Sequence, residues 1–266
     1  MKLGASTIAH RKLPLTLELL ESYRAADIES LELCDYHPNF AYGDRNFAAG
    51  VTEALRDLQL HLNSIHIHLR NRDPSCDLAS TDAAQHERSV AAHRQTVDFA
   101  HSLGGCILVT HDIDIPAPDE PNSESRLAAF VDGVRAVAGY AEDKGVRLAL
   151  ENIPRGFTNE PDRHVELIER IGCVNVGAVI DTGHRNLGGN PAAALRAVGR
   201  HLITLHLHDN HGAKDEHLLP GRGAIDWPDI TQALRDVAYP GVFMYELNRP
   251  EDLSDLPANA AWIQAQ

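Results

Sequence analysis

The stretch ITLHLHDNHGAKDEHLLPGRGAIDW, from Ile203 to Trp227, begins as a strand and runs into a loop crowded with metal-binding side chains. Ile203, Leu205 and Leu207 fall on one face of an extended segment, and Thr204, His206 and His208 fall on the other. Asp209, His211, Asp215 and His217 follow, and a Gly-x-Gly turn at Gly221 and Gly223 closes the loop. Four histidines and two aspartates at the mouth of one strand make a poor apolar core and a good donor set for a cation. The alternative for this stretch alone is a solvated loop that happens to be rich in histidine. The rest of the chain decides between them.

On either side the pattern repeats, a strand followed by a helix, about eight times. Strand-like runs lie at Lys2–Ile8, Ser30–Asp35, Asn63–Leu69, Cys106–His111, Val146–Asn152, Val174–Asp181, Leu202–His208 and Gly241–Leu247. Helical stretches fall between them at Pro14–Ala26, Asn46–Gln59, Ala83–Leu103, Ser123–Lys144, Pro161–Ile171, Pro191–Val198 and Trp227–Val237, with a closing helix near Pro257–Gln266. Ser123 is positioned to cap the fourth helix, and Gly104 and Gly145 stand where helices stop. Eight such units in 266 residues predict an α/β fold, a closed (β/α)8 barrel occupying residues 1–266 as one domain. An open doubly wound sheet is the runner-up, but GASTIAH at Gly4–His10 is not the glycine-rich first turn such a sheet uses.

Composition narrows the function. The chain is 43% hydrophobic and 23% charged, with a net charge of −14, which opposes binding to a phosphate backbone. No window approaches the ~18 apolar residues of a membrane span. The opening MKLGASTIAHRKLPL lacks the apolar segment of a secretory leader. Cys34, Cys76, Cys106 and Cys173 are scattered and none forms a C-x-x-C pair, so reduced, buried thiols in a cytoplasmic protein are expected.

The strand ends carry the chemistry. The third strand supplies His66 and His68, the fourth His111, the fifth Glu151, and the sixth Asp181 followed by His184. The seventh gives His206 and His208, and the eighth Glu246. Parity turns these residues inward. Leu148 and Leu150 face away from Glu151, Ile180 faces away from Asp181, and Phe243 and Tyr245 face away from Glu246. A lone inward histidine is ordinarily a satisfied core residue. Repetition on six successive strands is not, because several buried carboxylates are costly unless a cation satisfies them together.

Four motifs in order, ALEN at Ala149–Asn152, IDTGH at Ile180–His184, HLHDN at His206–Asn210 and DEHLLPGRG at Asp215–Gly223, resemble the xylose-isomerase-like barrel superfamily. That group holds sugar and sugar-phosphate isomerases and epimerases, among them the ketose 3-epimerases, and also endonuclease IV. The resemblance covers essentially the whole chain. It implies a divalent metal held by Glu151, Asp181, His206 and Glu246, with His184 against substrate or metal. It also implies a small sugar, sugar phosphate or related polyol or keto compound as substrate, and often a homo-oligomer. The implied reaction is proton transfer through a metal-stabilised enediolate, with Glu151 and Glu246 as the acid–base pair. His66, His184, Arg155 and Arg222 are the residues expected to touch substrate. A histidine-rich donor set favours Zn, Mn or Co over Mg.

Two departures bear on the substrate. Ketose 3-epimerases usually carry an arginine after the seventh-strand histidine, where this chain has Asn210, His211 and Gly212. The loop instead holds Asp215 and His217, which with His184 resemble the third-zinc ligands of endonuclease IV. His111 and one of His66 or His68 resemble its first-zinc ligands. A zinc-dependent hydrolase of abasic DNA is therefore the rival reading. The strand-mouth loops CDYHPNFAYGDRN, LRNRDPSCDLAS, HDIDIPAPDEPNSES and RNLGGNP weigh against it. Arg70, Arg72, Arg155, Arg185 and Arg222 stand at the mouths, but acids outnumber basic residues in the longer loops.

Overall fold

The computed structural model describes residues 2–111, 115, 120–154 and 156–266. Eight parallel strands form one sheet: β1 Lys2–Ser6, β2 Ser30–Cys34, β3 His61–His66, β4 Ile107–His111, β5 Arg147–Glu151, β6 Val176–Asp181, β7 Leu202–His206 and β8 Val242–Tyr245. Their order is sequential, with β1 also pairing with β8. Beyond the ends of β7 and β8 the circle closes, where Leu207 N donates to Met244 O at 2.8 Å and Glu246 N to Leu207 O at 3.2 Å. This is the expected (β/α)8 barrel.

Among the described residues ten α-helices lie between and after the strands: α1 Leu17–Ala25, α2 Arg45–Asp57, α3 Leu69–Arg72, α4 Ala83–Ser102, α5 Ser123–Ala141, α6 Pro161–Ile171, α7 Thr182–Asn186, α8 Pro191–Val198, α9 Trp227–Asp236 and α10 Leu256–Gln264. Gly104 and Gly145 take up φ of +100° and +68°, the left-handed backbone that ends a helix. The cap of α5 differs from expectation. Asn122 occupies that position at φ +64°, and Ser123 is the first helical residue, buried. The four- and five-residue helices α3 and α7 were not anticipated, being too short to show a helical period. Of the Pro-rich loop Asp112–Asn122, only Ile115 and residues 120–122 are described.

Strand parity separates two apolar layers. Leu148, Leu150, Ile180, Phe243 and Tyr245 point outward into the large core beneath the helices. Ile107, Val109, Ala149 and Val179 point inward and form a small separate cluster inside the barrel, with Ile203 against it. That plug is the floor of the barrel interior. Above it the inward positions turn polar: Glu32 and Ser64 stand side by side in register, as do Asp181 and His206. The third strand is shorter at its end than the Asn63–Leu69 run suggested. The Asp35 carboxylate accepts from His68 N at 3.0 Å in place of a neighbouring strand, and Leu69 opens α3.

Candidate metal centre

At the C-terminal mouth the donor atoms of Glu151, Asp181, His206 and Glu246 all lie within 4.8 Å of one another, and all four residues are buried. His206 Nδ1 stands 2.7 Å from Glu246 Oε2, 3.1 Å from Glu151 Oε1 and 3.9 Å from Asp181 Oδ2. Donor atoms each about 2.1 Å from one cation are at most about 4.2 Å apart, so all three separations suit a shared ion. One ring nitrogen cannot satisfy three carboxylates by hydrogen bonding.

The motif residues explain how the strands deliver these groups. Asn152 straps β5 to β6, accepting from Asp181 N at 2.7 Å and donating to Asp181 O at 3.1 Å. Asp181 Oδ1 caps α7 by accepting from His184 N at 2.7 Å. Thr182 latches the end of β7, its hydroxyl donating to His208 O at 2.8 Å. Gly183 must lack a side chain because a Cβ there would overlap the His208 ring. Every letter of the DTGH motif thus has a positional task.

Of the four further donor groups among the described residues, Glu32, His66 and His206 form one beneath the centre, Cys34, Asp35 and His68 form another, and the remaining two flank the centre. His184, His208, Asp215 and His217 form one. His184 Nδ1 donates to Asn152 O at 3.0 Å and His217 Nδ1 to Glu246 O at 2.8 Å, which leaves both Nε2 atoms facing Asp215 Oδ2 at 3.4 and 3.0 Å. Backbone carbonyls thus set both ring orientations, as around bound metals. The His208 and His217 rings stack 3.9 Å apart, and His217 holds a left-handed φ of +49°, unusual for a non-glycine residue. The other group is His66, His68 and His111. His66 Nε2 lies 2.8 Å from His111 Nε2 and 3.1 Å from Glu151 Oε2. His68 is drawn off by Asp35, Nδ1 to Oδ1 at 2.8 Å, and stacks on Tyr36.

Electrostatics favour a cation here. Among the described residues, every ion-pair partner of Glu32, Glu151, Asp181 and Glu246 is a histidine. Burial opposes ionisation of Glu151 and Glu246, yet the surrounding imidazoles, His206 foremost, hold both carboxyls well below the usual range. Burial likewise opposes charge on His66, and Glu151 and Glu246 overcome it, pushing the ring up to about 10. Glu32 Oε1, His66 Nδ1, His208 Nδ1 and Glu246 Oε2 are buried without hydrogen-bond partners. Several buried acids, no lysine or arginine among their partners, and buried donor atoms left without hydrogen bonds fit a divalent ion. The central group offers three carboxylates and one imidazole, and the flanking groups are richer in nitrogen.

The expected substrate contacts are redistributed. His66 is buried, with both nitrogens turned to Glu32, Glu151, Glu246 and His111, so it sits among the donor groups rather than at the open mouth. His184 stays partly open to solvent. Arg222 is occupied by Asp252 at 2.7 Å and Asp255 at 3.0 Å, and Arg155 lies outside the described residues. His208 was legible at the end of its strand but had no assigned role, and Glu32 was missed. The signal for Glu32 was an acid between Leu31 and Leu33, at an inward position of β2. Asp209 and His211 are not brought into the donor groups. His211 is exposed and pairs with Glu216, while buried Asp209 accepts from Gly221 N, Ile225 N and Trp227 Nε1 at 2.9, 3.2 and 2.9 Å and folds the loop.

Comparison with known proteins adds the family. A profile of the xylose isomerase-like TIM barrel matches residues 20–266. The chain belongs to that family. Within it, the chain is 32% identical over 181 residues to an uncharacterized protein of Methanocaldococcus jannaschii, covering 65% of this chain and 62% of that one. It is 31% identical over 150 residues to a D-psicose 3-epimerase of Enterocloster bolteae, covering 55% and 48%. An inosose isomerase of Bacillus subtilis is 24% identical over 259 residues, covering 93% and 88%. The match thus spans less than two thirds of the first two relatives. Among solved structures, a D-tagatose 3-epimerase-like protein superposes with a TM-score of 0.85 at 23% identity, covering 100% of this chain and 97% of that one, and shares its fold.

Proposed function

We propose that this chain is a divalent-metal-dependent isomerase or epimerase of a small sugar, sugar phosphate or related polyhydroxy carbonyl compound. The observation that carries the reading is the convergence of Glu151 and Glu246 on His206 Nδ1, with Asp181 beside them. Glu151, Asp181, His206 and Glu246 would hold the ion, and Zn, Mn and Co suit the mixed oxygen and nitrogen donors. When bound, such an ion supplies Lewis acidity to a carbonyl and its neighbouring hydroxyl.

The remaining chemistry belongs to side chains. Glu151 and Glu246 each have one oxygen at the central group and a second turned toward His66. Both are held ionised, so either can accept a proton from a substrate carbon as a base. They sit on β5 and just beyond β8, three strand positions apart around the barrel, and can work on different faces of a small molecule. Removal on one face and return on the other inverts that carbon. His184, at the rim, can donate to a substrate oxygen. The named relatives, a psicose 3-epimerase and an inosose isomerase, support a sugar-like substrate.

Hydrolysis of abasic DNA is not favoured. The chain carries a net charge of −14, and the mouth arginines Arg70, Arg72, Arg185 and Arg222 each face an internal acid. The test is metal-loaded protein incubated with a panel of ketoses, inososes and sugar phosphates, in parallel with duplex DNA containing an abasic site at low salt. Conversion of at least one carbohydrate without incision is expected. Efficient incision with no carbohydrate turned over would replace this reading by the hydrolase.

A further inference from the structure

Glu32 lies at the bottom of the metal centre, and no motif or expected site residue accounts for it. It is fully buried in the middle of β2, where an ionised side chain is costly without a purpose. Its Oε2 accepts from Ser64 Oγ at 2.8 Å and from His206 Nε2 at 3.0 Å. Ser64 is the register partner of Glu32 on β3 and is itself held by Asn63 Nδ2 at 3.1 Å. The acceptor is therefore fixed from the side away from the mouth.

The consequence falls on the other nitrogen of the same ring. A carboxylate can only accept, so His206 Nε2 must carry a proton. A cation would take the place of the second ring proton, so the lone pair it meets must be that of Nδ1, the atom 2.7 Å from Glu246 and 3.1 Å from Glu151. With the other tautomer, Nδ1 would present a hydrogen to the space where the carboxylates converge and could not ligate. Ring rotation is blocked by the same bond, because turning the imidazole would break the contact with Glu32.

We infer that Glu32 is a positioning residue: through His206 Nε2–H it fixes the tautomer and angle that make Nδ1 a metal ligand, and Ser64 in turn holds Glu32. The inference rests on the metal-dependent reading above. Glu32 reaches His206 across the barrel interior from β2, three strand positions away from β7.

The test measures metal affinity, which needs no substrate. Wild type, Glu32→Gln and Ser64→Ala are stripped of metal, checked for fold by circular dichroism, and titrated with Mn or Zn against a chelating competitor. In parallel, 15N-histidine-labelled, Zn-loaded protein is followed by NMR to read which nitrogen of His206 is protonated. Glu32→Gln keeps the shape, but its amide can donate to Nε2 and favour the wrong tautomer. Affinity is expected to fall about 10- to 100-fold, with the Nε2–H signature of wild type lost or mixed at equal metal occupancy. Ser64→Ala should lose about 2- to 10-fold, and it carries the test if Glu32→Gln does not fold. Variants within twofold of wild type, with His206 still protonated at Nε2, overturn the role of Glu32 and leave the metal reading standing. A wild type that takes up neither metal overturns both.

Discussion

Replacing Asp181 by Asn separates metal binding from folding. In the metal-free protein Asp181 does two structural tasks: Oδ1 caps α7 through His184 N at 2.7 Å, and the carboxylate faces His208 Nε2 at 2.9 and 3.0 Å. Asn caps helices as well as Asp, so the first task costs nothing. Weakening the second costs about 1 kcal/mol. Removing one negative charge from a buried group that also holds Glu151 and Glu246 returns a similar amount, so the metal-free Tm should stay within about 3 °C of wild type. Metal changes the comparison. At a metal concentration 100 times Kd, wild type gains about 2.7 kcal/mol, or about 5–11 °C for a chain of this size. If losing one charged ligand weakens binding about 100-fold, the same concentration gives Asp181→Asn only about 0.4 kcal/mol, roughly 1 °C. Thermal melts with and without Zn or Mn, followed by circular dichroism, read both numbers. A variant that keeps the full metal-induced rise would refute the assignment of Asp181 as a ligand.

Three further outcomes follow from the same geometry. Gln at position 151 or 246 should lower turnover about 100-fold or more in steady-state assays of whichever sugar is converted. Asp209→Ala leaves Gly221 N, Ile225 N and Trp227 Nε1 without their acceptor, and a loss of about 3 kcal/mol or more is expected in urea unfolding, with weaker metal uptake through Asp215 and His217. In the metal-free protein, burial opposes charge on His66 and His217, but neighbouring acids push the rings up to about 10 and about 9. Stability from these raised values is complete below the unfolded value of about 6.5 and is lost as pH rises through 9 to 10. Glu151 and Glu246 are shifted the other way, so their contribution is present above about 4.5 and lost at lower pH. Melts of metal-free protein should therefore fall on both sides of about pH 4.5–6.5, and saturating metal should flatten the alkaline side.

The barrel was legible because hydrophobic period and strand parity act locally. Leu148 and Leu150 bracketing Ala149 already said which face of β5 turns inward, and the two apolar clusters divide along that line. The ends of strands were less legible where a side chain replaces the ladder, as Asp35 does at His68. Within the site, residues in runs of donors such as HLHDN could be seen. Glu32 could not be weighed, since a single acid between two leucines gains meaning only when β3 and β7 bring Ser64 and His206 to it. Arg222 shows the converse. Its place beside a conspicuous loop suggested substrate, but partners 30 and 33 residues further along the chain, Asp252 and Asp255, hold it.

Exchange of a carbon-bound sugar proton by Glu151 and Glu246 at a metal centre is read out by reaction in D2O. Metal-loaded protein is incubated with the carbohydrate panel and each compound is read by NMR and mass spectrometry. One deuterium is expected at a single carbon beside a carbonyl in at least one compound. Chelation should abolish this exchange, and Glu246→Gln should lower it about 100-fold or more. Conversion of a sugar with no deuterium incorporated would contradict proton exchange, and would assign Glu151 and Glu246 to the metal alone.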